Sequence, residues 1–205
     1  MTTATPAGRR IDVRMSPKDL INIGVFGALY LVVVYAISML GFINPPVMLV
    51  ALAASIVAGG IPFTLFLTRV RHAGMVTVFG IITGGLFLLT GHPPISFAIT
   101  VACALLAEVV IWAGGYRSRR LSVPAYAVYS AWYVGPMMPL FYARDDYFSS
   151  PSMQMMGTDY VNQMQALLSP GMLLAFDVST VVFGLLGGLL GLRLTRKHFA
   201  KAGLA

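Results

Sequence analysis

Six long apolar runs follow one another along this chain of 205 residues. A transmembrane helix needs roughly 20 consecutive apolar residues, whereas a membrane-spanning strand needs about 10 of alternating polarity. The runs show no such alternation, and their connectors leave no room for a soluble domain. The sequence therefore predicts an all-α membrane protein, a six-transmembrane-helix bundle that forms a single domain over residues 1–205. The predicted spans are Leu20–Phe42, Pro46–Val70, Gly74–Thr90, Ile95–Gly114, Leu121–Tyr142 and Gly171–Leu192.

The composition favours the same fold class. Hydrophobic residues make up 58% of the chain and charged residues 10%, which is too apolar for a water-soluble domain of this size. The first run lacks a plausible signal-peptide cleavage site, so we expect its helix to stay in the protein. Cys103 is the only cysteine and lies in the fourth span. Neither a disulfide within the chain nor a cysteine metal cluster is expected.

The basic residues predict the orientation of the bundle. They occur in the N-terminal segment, the second and fourth connectors and the C-terminal tail, and Arg144 is the single exception. Because short basic loops stay on the cytoplasmic side, both termini should be cytoplasmic, with residues 1–18 and 193–205 inside and residues 143–170 outside. The net charge of +7 then has a membrane explanation, and no nucleic-acid partner is expected.

The extracellular loop 143–170 is unusually long for a compact protein, and loops of this length are often functional. Thr158 is expected to cap a short amphipathic turn whose apolar side carries Val161, Met164 and Leu168 at helical spacing. We interpret this loop as a lid that covers a cavity.

Two acids fall inside predicted spans. An ionised acid in hydrocarbon costs roughly 2.5 to 3.5 kcal/mol or more, so each should face the bundle or a cavity. Asp177, near the extracellular end, either forms a binding site below the lid or is a packed acid bonded to a tyrosine. For Glu108, near the cytoplasmic end, we favour pairing with Arg117, Arg119 or Arg120.

Several residues near the extracellular side are candidates for binding a substrate. Tyr126, Tyr129 and Tyr133 share one face of the fifth span, which serves either packing or a ligand. Prolines on both sides of Met137 and Met138 loosen the outer end of that span, and methionines suit a hydrophobic or planar ligand. His92 is either an ordinary loop residue or a ligand to a metal or haem iron.

Small residues recur at helical spacing in the first and sixth spans. Such spacing lets another helix approach closely, either within the chain or from another subunit. The sequence contains no phosphate-binding loop, zinc-binding H-E-x-x-H, nucleophile elbow or cysteine pair, so an enzyme is not expected and any ATP hydrolysis would occur on another chain. The small residues at helical spacing are Gly24, Gly27 and Ala28 in the first span and Gly184, Gly187, Gly188 and Gly191 in the sixth.

The segment KDLINIGVFGALYLVV, together with the six-helix outline, resembles the Trep-Strep family of substrate-binding (S) components of energy-coupling factor (ECF) transporters. The resemblance implies that the chain captures a scarce nutrient outside the cell. It also implies docking to a transmembrane coupling subunit driven by two cytoplasmic ATPases, and a toppling movement that carries the pocket inward. In other S components a small-residue motif in the first helix contacts the coupling subunit, and Gly24 and Ala28 have the matching spacing.

The same resemblance implies a pocket in the outer halves of helices four to six, gated by the outer loops. It implies no intrinsic cofactor, and the substrate would be haem, an iron-related compound or a vitamin-like molecule. Thr2, where nickel and cobalt S components have histidine, argues against those metals. Candidate docking residues are Gly24, Gly27, Ala28, Gly184 and Gly188. Candidate substrate-binding residues are Asp177, Tyr133, Met137, Tyr129, His92, Tyr147 and Tyr160.

Two other functions fit the sequence. Glu108 and Asp177 would serve proton exchange in a small secondary transporter. A purely structural membrane subunit would need neither acid for chemistry and would have a solid outer half.

Overall fold

The computed structural model describes residues 14–116 and 118–199, and these ranges contain helices and turns but no strand. The predicted all-α class is confirmed. Thr2, Arg117 and Lys201 lie outside the described residues, as do the first two arginines of the N-terminal segment. Within the described ranges, four helical segments are long and apolar enough to cross a membrane, Pro17–Phe42, Pro45–Leu67, Pro94–Ala113 and Pro170–Lys197.

At the start of each of the first two helices, a side chain accepts a hydrogen bond from a backbone amide that has no partner within the helix. Helix α1 (Pro17–Ser38) starts with a capping box, in which the Ser16 hydroxyl accepts a hydrogen bond from the Asp19 amide and Asp19 Oδ2 accepts one from the Ser16 amide. Helix α2 (Pro45–Leu67) is capped by Asn44. Proline at the first position of each helix needs no partner for an amide hydrogen.

Helices α3 (Met75–Leu89) and α4 (Pro94–Ala113) form an antiparallel pair. With 15 residues, α3 is about 22 Å long, shorter than the roughly 30 Å hydrocarbon core. It follows Gly74, whose φ of 91° ends the preceding turn in a conformation that suits glycine.

The predicted fifth span is not one helix. It is divided into α5 (Ser122–Ser130), a 3₁₀ turn, α6 (Val134–Met137) and α7 (Pro139–Tyr142). Pro136 and Pro139 cannot donate to the carbonyl groups one turn earlier, so regular helix hydrogen bonding ends here.

Residues 143–169 fold into three short helices, α8 (Arg144–Ser149), α9 (Pro151–Gln154) and α10 (Thr158–Leu167). The amphipathic element is therefore a longer helix than the turn expected from sequence. Thr158 is its first residue and makes no capping hydrogen bond, so the predicted cap is wrong; Gly157, with φ of 88°, occupies the capping position.

Helix α11 (Pro170–Leu194) packs against α2 and α5 through glycines. A Cβ at Gly60 of α2 would lie 2.7 Å from the Gly187 Cα, and a Cβ at Gly188 would lie 3.0 Å from the Val123 Cα. This glycine seam allows the backbones to approach as apolar side chains could not. The seam consists of Gly60, Gly184, Gly187, Gly188 and Gly191.

The bundle has two distinct ends. The loop end carries the α1–α2 turn, the α3–α4 turn and helices α7 to α10. The basic end carries the start of α1, the α2–α3 turn and the α4–α5 connector. At the basic end His72 Nδ1 lies 3.0 Å from Asp19 Oδ2, which joins the α2–α3 turn to the start of α1.

Candidate functional site

A cavity of about 110 Å³ lies at the loop end. It is bounded by α1, α2, the end of α3, the α3–α4 turn, and the 3₁₀ turn and α6 of the divided segment. Neither α4 nor α11 contributes a lining residue, so the cavity differs from the pocket of helices four to six that the resemblance implied. The lining residues are Val34, Tyr35, Ser38, Leu52, Phe87, His92, Trp132, Tyr133, Pro136 and Met137.

His92 is the one histidine among the described residues that line the cavity. Its Nδ1 lies 3.1 Å from the Phe87 carbonyl oxygen and 3.4 Å from the Thr90 hydroxyl. Because a carbonyl oxygen can only accept, we assign the proton to Nδ1, which leaves the lone pair on Nε2. Burial lowers the pKa of His92 below its ordinary value of 6.5, so the neutral ring prevails at pH 7.

Aromatic rings form one wall of the cavity. Phe87 stacks on Trp132 with ring centroids 4.1 Å apart, and the Tyr133 ring centroid lies 4.2 Å from that of Trp132. The Trp132 Nε1 donates to the hydroxyl of Tyr30 at 2.7 Å, and this contact with a residue outside the lining fixes the orientation of the indole. The wall is therefore held in place by interactions outside the cavity.

The tyrosine face of the fifth segment is mainly part of the core. The Tyr129 hydroxyl lies 2.8 Å from Thr83 Oγ1, and the Tyr126 hydroxyl donates to a backbone carbonyl of α2. The Tyr133 hydroxyl lies 2.8 Å from Ser55 Oγ, although its ring also lines the cavity. Packing accounts for Tyr126 and Tyr129, whereas Tyr133 belongs to both the core and the cavity.

The helices of residues 143–169 pack beside the cavity through a second apolar core, here called the lid cluster. Met137 belongs to both the lid cluster and the cavity lining, and Tyr147 and Tyr160 pack against the cluster from outside. The Tyr160 hydroxyl donates to the Gly41 carbonyl at 2.9 Å, which ties α10 to the α1–α2 turn. The lid cluster consists of Met137, Leu140, Phe148, Val161, Met164, Leu168 and Leu173.

Arg144 joins the start of α8 to the end of α10. Its guanidinium donates to the carbonyl oxygens of Leu168 at 2.6 Å and Gln165 at 2.8 Å, and it lies 5.1 Å from the centroid of the Phe148 ring. A cation is favourable at these carbonyls because they end α10, where the helix dipole is negative. The sequence analysis missed this role, although Arg144 was the one basic residue outside the alternating pattern.

The expected tyrosine bond of Asp177 is wrong, and its role in a binding site stays a prediction. It is half-buried in α11 and does not line the cavity. Its Oδ1 is buried, and no hydrogen-bond partner for it occurs among the described residues, so the expected tyrosine bond is absent there.

Among the described residues, Glu108 is satisfied by amides of α3 and by a tyrosine rather than by Arg119 or Arg120. Its Oε2 accepts hydrogen bonds from the amides of Val76 at 2.8 Å and Thr77 at 3.0 Å, and its Oε1 accepts one from the Tyr116 hydroxyl at 2.7 Å. The carboxylate therefore caps the N-terminus of α3, where a negative charge is favourable.

The small residues of α1 and α11 have different surroundings. Gly24 and Ala28 lie on an exposed face of α1, and a Cβ at Gly24 would meet nothing within 4 Å. Gly27 is buried against α3, and Gly184 and Gly188 are buried against α5. These three are therefore corrected from partner docking to internal packing.

Three aromatic lining residues, Tyr35, Phe87 and Trp132, were not among the candidate binding residues. Phe87 lies at the end of an apolar run that carries no distinguishing pattern, and Tyr35 is one of several aromatics in α1. The Tyr35 hydroxyl is hydrogen-bonded to Thr90 Oγ1, which closes the cavity between α1 and α3. Tertiary packing brings Tyr35 beside His92, whereas Phe87 adjoins it through the local turn in which the His92 amide donates to the Phe87 carbonyl at 3.1 Å.

The family model of Trep_Strep, described as a hypothetical bacterial integral membrane protein, matches residues 17–201. No curated protein and no solved structure matches the chain. The match covers most of the chain, which therefore belongs to the Trep_Strep family. Together with the four apolar helices, this makes the chain a multi-pass integral membrane protein of bacteria.

Proposed function

We propose that this membrane protein is the substrate-binding S component of an ECF importer, which captures a scarce nutrient outside the cell and delivers it to a coupling subunit. The observation that carries the proposal is the cavity at the loop end, which shares Met137 and Leu52 with the packing of the helices of residues 143–169. A purely structural subunit would need neither a cavity nor a lid.

The proposed arrangement has six membrane crossings and both termini in the cytoplasm. The crossings are α1, α2, α3, α4, the divided segment Ser122–Tyr142 and α11. The positive connectors support this orientation, because Arg69, Arg71, Arg119 and Arg120 lie at the basic end. The lid and the cavity then face the outside, where a nutrient is captured.

The proposed partners are a transmembrane coupling subunit and two cytoplasmic ATPases. Gly24 and Ala28 support docking through α1, because both are exposed and their small side chains permit close approach of another helix. The chain itself would be no enzyme and hold no cofactor, and toppling against the coupling subunit would release the nutrient inside.

The cavity volume bears on the choice of nutrient. Small-molecule sites commonly enclose about 300 to 1,000 Å³, so the cavity of about 110 Å³ is small for such a site and would have to widen for most nutrients. A compact vitamin-like molecule needs the smaller rearrangement, whereas haem or another iron compound would require the lid to open widely.

The docking surface offers a direct test. We expect Gly24→Leu combined with Ala28→Leu to abolish co-purification of the coupling subunit from bacterial membranes, because two leucines keep the helices apart. Mass spectrometry of the purified complex measures the loss. Gly85→Leu is the matched control, since a Cβ there also meets nothing within 4 Å. Normal assembly of the double variant would show that α1 does not dock in this way.

Proton-coupled secondary transport is the alternative, and the unpartnered Asp177 Oδ1 favours it. Glu108 does not, because its oxygens are engaged by α3 and Tyr116. Proteoliposomes that contain this chain alone distinguish the two functions. Uptake driven by a proton gradient without ATP would support the alternative, and the proposed S component predicts no accumulation.

A further inference from the structure

We propose that the cavity takes a neutral, mostly apolar ring compound that donates one hydrogen bond to Nε2 of His92. This inference rests on the proposed function, because it treats the cavity as the substrate site. It goes further by naming the chemical class of the substrate and the residue that selects it.

The lining excludes a charged group from the cavity. None of its ten residues is an acid, a lysine or an arginine, and His92 is neutral in the assigned form. A full charge brought among apolar side chains without a partner costs far more than any contact there returns. The part of the substrate that enters the cavity is therefore uncharged.

Among the polar side chains of the lining, His92 Nε2 is the one nitrogen acceptor that has no hydrogen-bond partner among the described residues. The Tyr35 hydroxyl is engaged by Thr90, and the Tyr133 hydroxyl by Ser55. The Ser38 hydroxyl, at the end of α1, can turn to a carbonyl of its own helix. The His92 ring cannot rotate to give Nε2 a backbone partner, because the hydrogen bond from Nδ1 to the Phe87 carbonyl fixes its orientation. A ligand with one N–H or O–H group satisfies this lone pair.

The wall of rings favours a flat ligand. Phe87 and Trp132 are nearly parallel, with 22° between their ring planes, and His92 lies 5.1 Å from Phe87 between ring centroids. Aromatic rings pack well in stacked and edge-to-face arrangements on such surfaces. Apolar cavities of about 150 Å³ bind benzene, so a volume of about 110 Å³ limits the ligand to at most a single six-membered ring.

Phenol and toluene are matched probes for this site. They have nearly the same shape, but only phenol donates a hydrogen bond. Binding is followed by the fluorescence of Trp132 in nanodiscs, in a Trp112→Phe background that leaves one tryptophan. Partition of each probe into the lipid is the same for every variant, so it cancels when variants are compared.

We expect His92→Phe to lower the phenol-to-toluene affinity ratio about fivefold, the factor for one neutral hydrogen bond. His92→Leu removes the acceptor with a different side chain and should give the same change. His92→Gln keeps an acceptor oxygen and should retain most of the ratio. His72→Phe, the same substitution at the basic end, is the matched control and should leave the ratio unchanged.

Two results would overturn the inference. One is an unchanged ratio in both His92→Phe and His92→Leu, and the other is the absence of any Trp132 response to either probe in the protein with His92. Failure of the proposed function is separate. If the chain neither assembles with a coupling subunit nor supports uptake but the ratio changes as expected, the importer proposal fails and the His92 site stands.

Discussion

The basic end and the loop end of this protein are packed by different means. From the middle of the bundle to the basic end, glycines bring α11 into backbone contact with α2 and α5, and Glu108 accepts hydrogen bonds from the open amides of α3. At the loop end, aromatic and methionine side chains surround a cavity, and prolines divide the helix beside it. Backbone contacts fix helices in one position, whereas long side chains can repack. The comparison identifies the loop end as the part able to change shape.

The polar contacts show the same difference. Both oxygens of Glu108 are engaged at the basic end, whereas Asp177 Oδ1, nearer the loop end, is buried without a partner among the described residues. A buried polar group without a partner destabilises the fold. Stability and adaptability are therefore concentrated at opposite ends of the bundle.

The largest expected effect comes from a substitution that disrupts the glycine seam. Gly60→Leu should destabilise the protein by about 4 to 5 kcal/mol or more, because a side chain there overlaps the backbone of Gly187. Thermal unfolding in detergent measures the loss, and much of the variant should not fold. Gly85→Leu is the control, with open space around the added atoms. Equal stability of the two variants would contradict the close approach of α2 and α11.

A smaller effect compares the two buried acids. Glu108→Leu should cost about 2 to 3 kcal/mol, because the amides of Val76 and Thr77 and the Tyr116 hydroxyl lose their acceptor. Asp177→Leu should leave stability unchanged or raise it, because it removes a carboxylate whose Oδ1 is unsatisfied. Unfolding in a graded series of detergent mixtures measures both changes. Similar losses for both variants would show that Asp177 has a stabilising partner.

The smallest effect concerns the lid. Tyr160→Phe removes one hydrogen bond to the Gly41 carbonyl, which should cost about 1 kcal/mol locally. Hydrogen exchange should quicken in α10 and in the α1–α2 turn, while α2 and α11 near the glycine seam remain protected. Tyr142→Phe is the control, because Tyr142 is 68% exposed. Faster exchange throughout the bundle would mean that the lid is not a separate unit.

The sequence predicted those features that depend on neighbouring residues. Apolar length alone located α1, α2, α4 and α11 to within a few residues, since a helix that crosses lipid must satisfy its own backbone. The break after Ser130 was anticipated only as a loosening, because the effect of Pro136 and Pro139 depends on what packs around them. Residues 143–169 fold into helices largely through contacts with the lid cluster.

The candidate site was harder to predict because its parts come from distant segments. Tyr133, Met137 and His92 line the cavity, but the sequence gives no distance between the α3–α4 turn and α6. The partner of Glu108 was missed because an arginine nearby in sequence was a simpler choice than the amides of another helix. The glycines of α11 carried a real packing signal, but the pattern is the same for an internal helix and a foreign one.

Met137 and Leu52 touch the cavity on one side and the lid cluster on the other. A solute in the cavity would contact the same two side chains against which the helices of residues 143–169 pack. Occupation of the cavity would then be coupled to the packing of these helices through side-chain shape. Saturation of the protein would be detectable from the surface of its loop end, without any change of charge.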